Sequence, residues 1–231
     1  MIRTLLAVSI VSLACAGIVA PAHPATAQTV IAGTVTSKDG KPLPGLALLE
    51  KGEIHNNVWD RGALVDAQGH FRIEVASGGQ YGLHVYSSGY FYDPHAVKVE
   101  TGKMLEVSVT LVPEPTRAND PVIKTVGFFP LEARQGKVTY VKLDVTDPNG
   151  ILGPQVLAFN TGTGRVYAMS PPHWVWSLKA NYPNGLYQLE VDTSQTPIDP
   201  RAWHFVVADH QCNTTDILSF PHEPKTQQVV K

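Results

Sequence analysis

The sequence predicts an all-β protein built as two β-sandwiches in tandem. Three observations carry that expectation. Short runs of alternating apolar and polar residues recur between Asp-Gly and Gly-Tyr turn signals, the period of a half-buried strand. Gly and Pro are abundant, at 19 and 18 in 231 residues. Charged residues make up only 16%, below the roughly 25% of an average soluble domain, which fits short strands joined by many turns.

The chain opens with Arg3, an apolar run from Leu5 to Ala20, and the small-residue triplet Ala25-Thr26-Ala27. This is the pattern of a cleaved export signal, placed at residues 1–27. The run is shorter than the ~20 residues that span a bilayer, so the mature chain is expected to start near Gln28 and to be periplasmic or secreted. Removal of the signal takes Cys15 with it and leaves Cys212 unpaired. An intramolecular disulfide is then excluded.

Residues 29–112 are expected to form the first sandwich. Ile31 to Leu49 reads as strand, Asp39-Gly40 turn and strand, and Asp66-Ala-Gln-Gly69 then delivers Phe71, Ile73 and Val75 at every second position. Gly79-Gln-Tyr81-Gly-Leu83-His-Val85 completes the pattern before Gly89-Tyr90. These motifs resemble the carboxypeptidase regulatory-like domain, a transthyretin-like β-sandwich common in secreted bacterial proteins. The resemblance implies a scaffold without catalysis and leaves its ligand open.

Pro113 to Asp120 has no periodicity and is rich in Pro and polar residues, so 113–120 reads as a linker. Residues 121–209 repeat the plan. Val138 to Val145 alternates, Asp147-Pro-Asn-Gly150 and Thr161-Gly-Thr-Gly164 are turns, and Gly185-x-Tyr187-x-Leu189-x-Val191 has the form of Gly79-x-Tyr81-x-Leu83-x-Val85. This half resembles bacterial immunoglobulin-like domains. Alternation puts Tyr187, Leu189 and Val191 inside, and tyrosines at this place often bond backbone at a sheet corner, so Tyr81 and Tyr187 read as structural. Residues 210–231 are expected to be a C-terminal tail.

Net charge is −2 and no Lys/Arg cluster occurs, which sets nucleic acid aside. The chain has no His-x-x-Glu, Gly-x-Ser-x-Gly, Gly-rich phosphate loop or Cys-x-x-Cys. Two enzyme families share the transthyretin-like sandwich. Intradiol dioxygenases need a His-x-His pair and hydroxyisourate hydrolases a Tyr-Arg-Gly-Ser ending, and neither is present. The expectation is a protein that is not an enzyme.

Two binding readings remain, a recognition module and a metal-handling protein. Ser87 to His95 reads as a loop that exposes Tyr90, Phe91 and Tyr92 at a sandwich end, where recognition residues usually sit. Trp174 and Trp176 share one face, either as core packing or as a platform for a sugar or protein. The expected partner is a cell-envelope protein or glycan. For metal, a single last strand from His204 to Cys212 would put His204, His210 and Cys212 on one face, with neighbours two apart within ~7 Å. Imidazole and thiolate together suit Cu or Zn. His70 and His84, both on the solvent side of their strands by alternation, would chelate only if those strands were neighbours. Asn213-Thr-Thr215 fits a glycosylation acceptor.

Overall fold

The computed structural model describes residues 28–133, 136–148, 155–171, 185–194, 198–209 and 211–219. The all-β expectation holds, and the described residues make two face-to-face sandwiches. No helix among them is long and apolar enough to cross a membrane.

In the first sandwich, β1 (Thr29–Ser37), β4 (His70–Val75) and β7 (Met104–Leu111) form one sheet in the order β4-β1-β7. Strand β1 runs antiparallel to β4 and parallel to β7. Opposite lie β2 (Gly45–Lys51), β3 (Trp59–Val65), β5 (Gly79–Tyr86) and β6 (Asp93–Val99), in the order β3-β2-β5-β6. On β4 the period of two is plain: Phe71, Ile73 and Val75 are buried while His70, Arg72 and Glu74 face water. They enter a core with Ile31, Val35, Leu49, Tyr81 and Leu83. The turn before β4 is set by Asp66, whose carboxylate accepts from the Gln68 and His70 amides at 2.9 and 2.8 Å. Gly69 there has φ +80°, and a Cβ would stand 2.4 Å from the Val35 carbonyl oxygen, so only glycine fits.

The second sandwich sets β8 (Val122–Ala133), β9 (Gly136–Thr146) and β12 (Gly185–Asp192), ordered β12-β9-β8, against β10 (Gln155–Asn160), β11 (Arg165–Ala168), β13 (Trp203–Ala208) and β14 (Leu218–Ser219), ordered β14-β13-β10-β11. Val141, Leu143, Val145, Trp203, Phe205 and Tyr187 fill its core.

The two sandwiches are not independent beads. Strand β11 hydrogen-bonds β3 through the Arg165–Arg61 pair, with Gly62 N donating to Gly164 O at 3.0 Å and Arg61 Nη1 to Thr163 O at 2.8 Å. This makes one eight-stranded sheet, β14-β13-β10-β11-β3-β2-β5-β6. The sheet folds back on itself, because Leu46, Leu48 and Tyr86 from one end pack with Leu157, Phe159, Val206 and Ala208 from the other. The result is four layers with three cores, the third lying in a seam between the sandwiches.

Several expectations are corrected by this seam. The segment 113–120 does not run free: Pro113 bridges Tyr90, and Asp120 is buried. Nor does packing stop at 209. Asn213, Thr214 and Thr215 are buried, and β14 pairs with β13. Asn213 is thus no accessible glycan acceptor.

Candidate functional site

Among the described residues, an exposed and chemically varied face is the outer side of β12-β9-β8. Strand alternation explains it: Val141, Leu143 and Val145 of β9 are fully buried, so Val138, Tyr140, Lys142 and Asp144 point outward. On β8 the outward set is Gly127, Phe129 and Leu131, since Val126 and Phe128 join the core. Register then places Phe129 beside Tyr140 and Tyr140 beside Glu190. The next row is Gly127, Lys142 and Gln188, and the previous one Leu131, Val138 and Asp192.

Phe129 remains 46% exposed and Leu131 52%. The Phe129 ring lies over Gly127, where a Cβ would approach ring carbon Cε2 to 2.5 Å; any larger residue at 127 would push the ring off the sheet. The Lys142 ammonium stands 5.1 Å from the Phe129 ring centre and 6.0 Å from that of Tyr140, a cation–π geometry. Glu190 accepts from the Tyr140 hydroxyl, which raises the phenol's pKa. At the Leu131 end of these strands a groove of about 550 Å³ opens toward the core side of the sheet, lined by Phe128, Thr139 and Ile198 with Lys137 and Thr193. An aromatic and aliphatic strip rimmed by donors and acceptors is thus available to a flat amphipathic ligand. The sequence reading missed these residues, although Tyr140 and Lys142 fall on the outer phase of an alternation it did identify.

The residues expected to bind are placed differently. Tyr92 is 9% exposed, stacked on Tyr86 at 5.3 Å, and burial pushes its hydroxyl up to about 12. Tyr90 packs on the first core, and its carbonyl accepts from the Thr214 hydroxyl. The amide of half-buried Phe91 donates to Val112 O at 3.0 Å. The loop is therefore tied into the seam and does not display Tyr92, because the folded-over sheet and the segment after β13 cover it. Trp174 and Trp176 lie outside the described residues.

The metal set is also not assembled as a single strand would require. His210 lies outside the described residues. Strand β13 ends at Ala208, and the chain turns at Asp209, whose Oδ1 accepts from the Gln211 and Asn213 amides at 2.8 and 2.9 Å. Cys212 sits in that turn at φ 66°, whereas His204 is four residues down the strand, ~13 Å at strand rise. His204 leans on Phe159, with ring centres 6.2 Å apart, and burial lowers its pKa. Cys212 meets Tyr92, and burial raises the thiol. Among the described residues no three His, Cys, Asp or Glu side chains are grouped to hold an ion.

His70 and His84 also fail to meet, since β4 and β5 belong to different sheets. His70 faces water beside Asp66. Alternation placed His84 correctly on the face away from the first core, but that face is the seam. His84 and Glu50 are both without exposure, and His84 Nε2 donates to Glu50 Oε2 at 3.0 Å. A sealed pair of this kind cannot reach a substrate.

Neither a protein-family model nor a curated protein matches this chain. Among solved structures it is similar to the minor pilin GBS52 of Streptococcus agalactiae, with 23% identity over 39% of this chain and 47% of that one, at TM-score 0.32. The alignment thus spans just under half of that pilin. It is also similar to BcpA, the major pilin subunit of Bacillus cereus, at 12% identity over 81% of this chain and 66% of the pilin, TM-score 0.33. A DUF3823 family protein from Parabacteroides merdae gives 12% identity over 85% of this chain and the whole of its own, TM-score 0.30. At these TM-scores the likenesses carry no functional weight, and the reading of function rests on the geometry of the chain itself.

Proposed function

We propose that this chain is an exported, non-catalytic accessory module that holds a neutral glycan against the outer face of its second sandwich. The observation that carries the reading is the Phe129–Tyr140 pair, a half-exposed ring laid over Gly127 beside a phenol. Sugar rings present apolar C–H faces edged by hydroxyls. An aromatic side chain takes the first through its π face, while Lys142, Gln188 and Glu190 surround it with partners for the second. Exposed apolar patches with polar rims mark interaction surfaces. The acidic neighbours Asp144, Glu190 and Asp192 favour a hydroxyl-donating ligand over an anionic one.

The resemblance of the first half to carboxypeptidase regulatory-like domains supports the accessory role, and the signal-like 1–27 segment supports export. The reading moves recognition from loops to a sheet face.

Affinity electrophoresis of the mature chain through gels containing neutral polysaccharides tests it. Phe129→Ala and Tyr140→Ala should each weaken retardation at least roughly tenfold, the loss expected for one buried aromatic contact. The melting temperature should hardly move, since exposed side chains contribute little to stability. Retardation that survives both substitutions would remove this face from the function.

A further inference from the structure

We infer that the buried Glu50–His84 pair is an acid-released latch: at neutral pH it moulds the 52–58 loop onto the seam, and protonation of His84 frees that loop. The inference stands independently of the glycan reading.

Glu50 and His84 lie on neighbouring strands β2 and β5, on the seam face, and neither is exposed. The Glu50 carboxylate is shared among three donors. Oε2 accepts from His84 Nε2 at 3.0 Å and from the His55 amide at 2.7 Å, and Oε1 accepts from the Asn57 amide. His55 and Asn57 are non-glycine residues in the left-handed region, at φ 70° and 60°. Such backbone persists only where its surroundings over-determine it. Here the surroundings are the Glu50 carboxylate, held in place by one imidazole, and the Asn56 side chain, which donates to Lys51 O and accepts from the Val58 amide.

The site has no room for a second proton on that imidazole. With Nε2–H directed at Glu50, Nδ1 is the unprotonated nitrogen, and it has no hydrogen-bond partner among the described residues. Its ring is enclosed by Trp59 at 4.8 Å, Tyr92 at 6.2 Å and His55 at 6.2 Å. Trp59 Nε1, likewise without a partner among the described residues, offers a further N–H and no acceptor. The titratable groups facing His84 are Glu50 from β2, His55 from the loop and His95 from β6, with Tyr92 and Cys212 closing the far side. Burial, the largest influence, pushes His84 down. Glu50 pulls the other way, and His55 and His95 add smaller repulsions. A proton on Nδ1 is therefore satisfied only by water, and water enters only if the loop lifts.

The His55 and Asn57 amides are direct reporters. Their hydrogen exchange, followed by NMR and corrected for the intrinsic pH dependence, should show protection falling roughly tenfold or more between about pH 7.5 and 5, across the imidazole range. The Leu83 and Val85 amides, whose side chains face the first core, should keep theirs. His84→Gln retains a donor for Glu50 but takes no proton, so its loop protection should be flat across the same range. Flat protection in the wild type, or a fall that persists in His84→Gln, overturns the latch. Should that variant not fold, the His84 ring signals in the wild type decide. A protonation midpoint more than about one unit from the midpoint of loop release overturns the proposal, because linked events titrate together.

Discussion

Single polar side chains hold this fold at its corners, and Asp209 shows how. Its carboxylate accepts from the Gln211 and Asn213 amides and, at 2.7 Å, from the Asn213 side-chain amide. It is buried, so removing it leaves N–H donors without an acceptor, a loss of about 1–3 kcal/mol. Asp209→Ala should lower stability in urea by that amount, and a change within about 0.5 kcal/mol, the range of neutral surface substitutions, would show that water replaces the carboxylate. Gly127 acts in the opposite direction, through what it lacks. Gly127→Val would displace the Phe129 ring without touching the core and should abolish binding in the electrophoretic assay while sparing the melting temperature. Cys212 illustrates a residue whose chemistry is muted by placement. Burial beside Tyr92 keeps it a thiol, so a thiol reagent should label it slowly in the native chain and at the free rate in denaturant.

At the scale of elements, the segment from Pro113 to Asp120 is the least expected piece, and it carries a titration of its own. Glu114 accepts from the Thr214 amide at 3.2 Å, and burial, with the Asp120 carboxyl beside it, pushes Glu114 up to about 7. An acid with a raised folded pKa stabilises where it stays protonated. Its contribution is complete below the unfolded value of roughly 4.3 and is lost as pH climbs through 7. The His84 contribution has the other sign: its folded pKa is lowered, so stability is present above about 6.5 and declines as pH falls below it. Glu114→Gln, neutral throughout, should therefore lose the decline in stability between about pH 5 and 7.5 that the wild type owes to this group. Parallel stability curves for the two proteins would rule this titration out. How far the elements were legible follows from what alternation encodes. It located the strands around 31–49, 71–75, 79–85, 138–145 and 185–191 and sorted Phe71, Ile73, Val75 and Tyr187 to the inside, because a side-chain period of two is written in the residues themselves; the strands at 59–65, 93–99, 104–111 and 122–133 were missed. It also gave the correct phase for His84. Whether an outward phase meets water or another sheet is decided by partners distant in sequence, which no local pattern records. That is why His84 and Tyr92 read as surface groups and are buried, and why the outer face of β8 and β9 went unnoticed.

For the whole molecule, the continuous sheet and the third core change what kind of object the chain is. Two sandwiches joined by a linker would unfold separately, each protected by its own core. Here Leu46, Leu48 and Tyr86 of the first half are covered by Leu157, Phe159 and Val206 of the second, and β3 has β11 as its neighbour. Phe159 is the test case, because it contributes to neither sandwich core and belongs wholly to the seam. Phe159→Ala should cost about 3–5 kcal/mol, the range for a buried phenylalanine, and the loss should appear equally in probes of both halves. Cutting the chain extends the argument. A fragment of residues 28–112 alone would expose Leu46, Leu48 and Tyr86 as a contiguous apolar face and leave the β3 edge open to strand pairing. It should therefore aggregate or bind a hydrophobic dye when produced alone, and become soluble and compact when co-expressed with residues 113–219. Size-exclusion chromatography of the fragments, separately and together, settles it. A monomeric, cooperatively melting 28–112 fragment would mean that the seam is a docking of two finished domains and not a core the chain needs in order to fold.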